Sequence, residues 1–198
     1  SVLAGHLASL LAWSALNGGD RVGGLVFNEL GHQEIRPRRS RKTILTLLSQ
    51  IASYNASLPV DSTSEADHFA SMLSNLRRIA RPGSSLFLIS DFRGASQEGA
   101  REHLFELAKH TELTALACSD PMEAELPRAG TYAVTNGTER SELQTGDRQL
   151  RDSYRQRQQQ QHAMLSDDLI RLGVPLLRAS TDLSPFGLLQ TYFGDKRR

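Results

Sequence analysis

Three predicted parallel strands end alike, in a hydroxyl residue directly before a carboxylate: Ser90-Asp91, Ser119-Asp120 and Thr181-Asp182. Hard divalent cations such as Mg²⁺ and Mn²⁺ take oxygen ligands of both kinds. Each pair follows a short apolar run: Leu86–Ile89, Leu113–Cys118 and Val174–Leu177. The first run comes after the helix-stopping Arg81-Pro82-Gly83 and is too short for a helix. It reads as a strand buried on both faces at the centre of a parallel sheet, with the second run a further buried strand. In an open parallel sheet, ligands are held just beyond the carboxyl ends of the strands. If the three strands are neighbours, the three pairs line one edge. Asp91, Asp120 and Asp182 would then suit a metal-dependent phosphoester hydrolase. The competing reading is local, because Ser, Thr and Asp favour strand-to-helix turns, where they cap the next helix. Capping is the preferred reading for Asp120 and Asp182; for Asp91 the two readings stand level.

Other chemistry is sparse. Arg36, Arg38, Arg39, Arg41 and Lys42 form the one dense basic cluster, a candidate docking patch for an acidic partner. No aromatic residues interleave it, so a solvated loop and helix start is the simpler account. The six histidines show no metal-ligand spacing with Cys118 or with one another. No Gly-rich phosphate loop, nucleophile elbow or zinc-hydrolase helix motif is present.

Composition bounds the rest. A chain of 198 residues is long enough for one α/β domain with a sizeable core. A formal net charge of +1 gives no global field toward nucleic acid or membrane. The single cysteine excludes an internal disulfide, and its apolar neighbours point to a buried thiol in a reducing compartment. The apolar stretch near Val2–Leu16 is too short to span a bilayer. A cytoplasmic protein with no membrane or nucleic-acid partner is the expectation.

The elements that must position these residues alternate between strand and helix. Residues 1–17 read as a helix apolar nearly all round, stopped by Asn17-Gly18-Gly19. Arg21–Asn28 is a strand in which Gly23-Gly24 marks close backbone approach. Gln33–Arg36 returns as a short edge strand ended by Pro37. Ser40 caps a helix that buries Ile44, Leu47, Leu48 and Ile51. Ser62 and Glu65 form a capping box for a helix carrying Phe69, Met72, Leu73, Leu76 and Ile79. A helix over Gly99–His110 buries Leu104, Phe105, Leu107 and Ala108. Asn136-Gly137 turns a hairpin insertion at about 130–145. A long polar helix follows over about Asp147–Leu172, and Ser184-Pro185 opens the last one.

The order of several short motifs resembles one bacterial family. Gly19-Asp20-Arg21-Val22-Gly23-Gly24-Leu25-Val26-Phe27 comes first, then Arg36-Pro37. Arg81-Pro82-Gly83-Ser84 runs into Leu88-Ile89-Ser90-Asp91-Phe92, and Ser119-Asp120-Pro121 follows. The Tyr132-to-Leu143 hairpin, Pro175-Leu176-Leu177 and Ser180-Thr181-Asp182 complete the series. Taken together they resemble the "domain of unknown function 58" family, whose members look like von Willebrand factor type A domains.

That resemblance implies a three-layer, Rossmann-like α/β fold, a mostly parallel sheet with helices on both faces. It also implies a metal-ion-dependent adhesion site at the carboxyl edge. Asp91, with Ser90 beside it, matches the aspartate of the third loop of that site. The second loop falls near Thr63–Asp67, where Thr63 has the right chemistry and Asp67 the better spacing. The first loop, with its Asp-x-Ser-x-Ser pattern, and the central strand bearing it have no counterpart in this chain. The expectation is therefore the C-terminal part of a longer protein, or a strand-exchanged homo-oligomer. Mg²⁺ or Mn²⁺ would belong to the complete domain and bind weakly or not at all here. The activity implied is non-enzymatic: a protein-interaction module accessory to a MoxR-type AAA+ ATPase.

Overall fold

The computed structural model describes residues 2–28, 31–57, 68–135 and 140–194. In chain order the elements are α1 (Val2–Asn17), β1 (Val22–Asn28), β2 (Gly31–Arg38), α2 (Arg41–Ala56), α3 (His68–Ile79), β3 (Ser85–Ser90) and α4 (Glu98–His110). There follow β4 (Glu112–Ser119), α5 (Pro121–Ala124), β5 (Thr131–Thr135), β6 (Arg140–Gln144), α6 (Arg148–Arg171), β7 (Leu176–Ser180) and α7 (Pro185–Phe193). The backbone divides into two compact units, Ser1–Leu58 with Leu183–Arg198, and Pro59–Asp182. Among the described residues no helix is long and apolar enough to cross a membrane.

In the first unit, α1 stops where its glycines do. Gly19 takes φ 93°. Its N–H donates to the Leu16 carbonyl at 3.0 Å, while the Asp20 N–H reaches back to Ala15 at 2.9 Å. This is the Schellman arrangement, whose left-handed residue is usually glycine because it has no Cβ to clash. β1 and β2 pair antiparallel from Asn28↔Gly31 to Val22↔Arg38. The second strand is longer than its sequence reads, because it passes through Pro37 instead of ending there. The ladder is irregular between Val22 and Gly24, leaving Arg36 and Pro37 opposite the single Gly23. A bulge of this kind tolerates a proline that cannot donate to the ladder. Ala12, Val22, Ile35, Ile44 and Leu47 form the buried centre, with Trp13, Leu16, Val26, Leu48 and Ile51 packed around it. Ser40 stands at the N-cap of α2, but its side chain makes no capping bond. At α7 the signal acts as read: Ser184 Oγ accepts from the Gly187 N–H at 3.2 Å, and Pro185 opens the helix.

The second unit is built on a parallel sheet in the order β3-β4-β7. The Leu86–Ile89 run is therefore an edge strand and not the central one. β4 flanks it on one side, and no strand pairs with its other side among the described residues. Only Leu88 of that run is fully buried, which corrects the reading of two covered faces. The centre is β4, where Leu113, Ala115 and Leu116 are buried. The last strand begins at Leu176, two residues later than its apolar run suggests. Pro175 has no N–H to donate and serves only as acceptor, taking the Ala115 N–H at 2.9 Å. On α4 the buried stripe is Ala100, Leu104 and Leu107. Phe105 lies off that stripe and is 51% exposed, a second correction. Two Arg101 nitrogens, at 2.8 and 2.6 Å, grip one oxygen of Asp168 and tie α4 to α6. β5 and β6 form an antiparallel hairpin. Asn136-Gly137 and the Ser62–Glu65 capping box lie outside the described residues.

Candidate functional site

β3, β4 and β7 are neighbours in one parallel ladder, so their three hydroxyl–carboxylate pairs emerge from the same edge of the sheet. They do not emerge at the same height. Ser90 pairs with Ala117, while Ser119 pairs with Ser180. Extended by one residue, Asp91 falls level with Cys118, and Asp120 stands two residues further along, roughly 7 Å at the usual strand rise. Asp120 is level with Thr181, and Asp182 is one residue beyond. The stagger decides which groups meet.

Asp120 meets Thr181. The Thr181 hydroxyl donates to Asp120 Oδ2 at 2.6 Å. The Met122 N–H donates to Oδ1 at 2.9 Å, which makes Asp120 the N-cap of α5. These two bonds, the hydroxyl first, hold the carboxyl below the usual aspartate range. A folded-state value lower than the unfolded one adds native stability above the ordinary carboxylate range. That stability is lost as pH falls through the depressed value. Replacing Thr181 by valine removes the larger cause, so the Asp120 carboxyl is expected to titrate higher, closer to the ordinary aspartate range. Carboxyl-carbon NMR against pH measures this directly, and an unmoved Asp120 curve would refute the assignment. Asp182 is occupied nearer home, accepting a hydrogen bond from the Ser180 hydroxyl.

Asp91 sits in a turn that is pinned from beneath. Phe92 has φ 58°, the left-handed region that a bulky residue seldom enters. Its ring is buried and lies against Phe69, with centroids 5.9 Å apart. Burial of that ring offsets the backbone cost, which is of order 1–3 kcal/mol. The Phe92 N–H donates to Ser90 Oγ at 3.1 Å, and the Arg93 N–H donates to Asp91 Oδ1 at 3.1 Å. With Phe92 turned inward, Asp91 and Arg93 are turned out. Arg93 Nε stands 3.2 Å from Asp91 Oδ2, and its Nη2 is 3.8 Å from Glu123 Oε1. A single guanidinium thus spans carboxylates from the turn after β3 and from α5. Sequence reasoning missed both Arg93 and Glu123. The signal for the first was an arginine two residues after the carboxylate; no local signal marked Glu123.

Mg²⁺ requires near-octahedral oxygen coordination. Ser90 and Asp91 supply one hydroxyl, tied to a backbone amide, and one carboxylate that already has a cationic neighbour. Among the described residues no group of three or more His, Cys, Asp and Glu is placed to hold a metal ion. The described donors alone do not fit a divalent cation. Thr63 and Asp67 lie outside the described residues.

Cys118, on β4 one residue before the edge, is a free thiol that burial pushes up to about 11. It is a neutral, unreactive group at ordinary pH. The basic cluster belongs to the first unit, where Arg36, Arg38, Arg39, Arg41 and Lys42 are all exposed. Arg41 and Lys42 occupy the first turn of α2, where no acidic residue balances them.

Residues 1–164 match the family described as "Protein of unknown function DUF58", and the chain belongs to that family. The motif order had pointed to it. Among solved structures, the crystal structure of conserved hypothetical protein BatB from Bacteroides thetaiotaomicron is similar, with a TM-score of 0.52 and 17% identity. The match covers 95% of this chain and 82% of that one. At that identity the likeness is one of fold. No curated protein matches the chain.

Proposed function

We propose that this protein is a non-enzymatic interaction module of von Willebrand A-like, Rossmann-type architecture, engaging another protein through the loops at the carboxyl edge of its parallel sheet. The observation that carries the reading is the Asp91–Arg93–Glu123 rim. Asp91 and Arg93 are turned outward at the end of the sheet around a buried, strained Phe92, and Arg93 reaches Glu123 of α5, all three side chains being about half exposed or more. Backbone strain retained beneath an exposed charged rim is a mark of a functional surface. Exposed ion pairs contribute little to stability, so the rim is not explained by folding alone. Asp120 and Asp182, already bonded to neighbouring hydroxyls, favour a structural role at this edge over general-base chemistry.

A MoxR-type AAA+ ATPase is the partner that the family resemblance suggests, with the cytoplasm as the compartment. Binding is expected to proceed without Mg²⁺ or Mn²⁺. A second contact surface is favoured by the start of α2. Two cations at the positive end of a helix are locally unfavourable, which gives them a reason to exist elsewhere.

Calorimetric titration with a purified MoxR-type ATPase from the same organism tests this. Asp91→Ala and Arg93→Ala are each expected to weaken binding by roughly tenfold or more, as for a contact central to an interface. Unchanged affinity in both variants would sink the edge reading. Charge reversal at Arg39 and Arg41 in the same assay decides whether the basic segment takes part.

A further inference from the structure

A cavity of about 300 Å³ opens between the loop that follows α5 and the first turns of α6, lined by Glu125, Leu126, Pro127, Arg128, Arg151 and Arg155. Its loop wall is fastened rather than loose. The Arg128 carbonyl accepts from the Thr145 hydroxyl at 2.7 Å and from the Tyr132 hydroxyl at 3.0 Å. Thr145 is fully buried, and the Gly130 N–H donates to its oxygen at 3.1 Å. Just ahead of the loop, the Tyr154 hydroxyl of α6 donates to the Glu123 carbonyl at 2.9 Å. A buried threonine and two tyrosines thus set the position of a segment that carries little apolar weight of its own.

The charges in this cavity do not balance. Arg151 and Arg155 are one helical turn apart on α6 and share a face. Arg155 is paired with Glu125 at 3.2 Å. Arg151 is steered by donating Nη1 to the Thr145 carbonyl at 2.8 Å and makes no ion pair among the described residues. The Arg128 side chain makes no ion pair among the described residues. Three arginines and one glutamate therefore line the cavity, together with the apolar Leu126 and Pro127. Guanidiniums hold carboxylates by paired, charge-assisted hydrogen bonds. The space exceeds what one carboxylate fills, and Leu126 and Pro127 in the lining offer apolar surface for an aliphatic neighbour.

We propose that this cavity binds an acidic peptide segment, taking a Glu or Asp carboxylate onto Arg128 and Arg151 and an adjacent aliphatic side chain onto Leu126 and Pro127. The site lies on the hairpin end of the second unit and does not depend on the carboxyl-edge reading.

The test is a backbone-amide NMR titration of the full chain with the peptide acetyl-Leu-Glu-Leu-Glu-amide. The same titration is run with its Gln-for-Glu counterpart and with inorganic phosphate. The acidic peptide is expected to give saturable shifts at millimolar concentration or below, centred on residues 126–129 and 151–155. The Gln peptide and Arg128→Ser are each expected to show a ~10-fold or greater loss, the scale of one good charged contact. Arg128→Ser removes a side chain with no ion pair to lose, so the fold is retained. Arg155→Ser serves as a second variant, expected to weaken binding in the same direction. The proposal is overturned by the absence of saturable shifts in those residues, by equal binding of the Gln peptide, or by wild-type affinity in Arg128→Ser. Tighter binding of phosphate than of the peptide at the same residues overturns it too, by assigning the cavity to a phosphate group.

Discussion

Leu116→Ala is expected to destabilise the protein by about 2–5 kcal/mol, the range for removing a large aliphatic side chain from a closed core. Leu116 lies on β4, the middle strand of the parallel sheet, paired with Ile89 on one side and Leu177 on the other. Its side chain has no solvent exposure. Strands flank it on both sides in the ladder, so the backbone has little freedom to move into the vacated volume. The effect therefore belongs toward the upper part of the range. Phe105→Ala is the matched contrast, because that ring is half exposed and its loss is expected to cost well under half as much. Urea denaturation of both variants measures the difference. A Leu116→Ala loss no larger than that of Phe105→Ala would mean that β4 is not the centre of the sheet.

Gly23→Ala is the second large effect, and it works by insertion. A Cβ on Gly23 would stand 2.6 Å from the Ile35 carbonyl oxygen, 2.7 Å from Pro37 N and 2.8 Å from Pro37 Cγ. Two of those atoms are backbone and the third belongs to a rigid ring, so no rotamer change relieves the clash. Overpacking of this kind costs about 1–3 kcal/mol and more where the backbone must shift. The expected outcome is a destabilisation of at least that size, with loss of amide protection along β1 and β2. Gly146→Ala is the control, since a Cβ there meets nothing within 4 Å. If both variants melt alike, the bulge opposite Gly23 is not the tight contact described. Arg36 and Arg38 ride on β2, the strand the inserted Cβ would push against, so Gly23→Ala is also expected to disturb the basic segment.

The two departures in β2 and β7 share a cause. Both involve a proline whose strand-breaking tendency is a local rule, and in both the partner strand decided the outcome. Pro37 is accommodated because Gly23 lets the opposite strand come close. Pro175 is excluded from the paired part of β7 but still lends its carbonyl to Ala115. A single strand carries no information about how far its partner will bend. Phe105 illustrates the same limit on a helix. Leu104, Phe105, Leu107 and Ala108 all fit an apolar helix, and which of them turns inward depends on where the sheet lies.

What this sequence determined by itself is what can be settled within a turn or two of chain. The Asn17-Gly18-Gly19 stop, the Ser184-Pro185 start, the strand or helix character of most described segments and the family carried by motif order are of that kind. So is the placing of Ser90-Asp91, Ser119-Asp120 and Thr181-Asp182 at strand ends. Only the tertiary structure decided that β4 and not β3 is the middle strand. The stagger of the ladder then paired Asp120 with Thr181 and left Asp91 to Arg93. It also brought Arg128 beside Arg151 and Arg155 from a loop more than twenty residues away. The physical reason is one of range. Periodicity, capping and turn preference act between residues close in the chain, whereas adjacency and register are set by hydrogen bonds and packing between segments far apart in it.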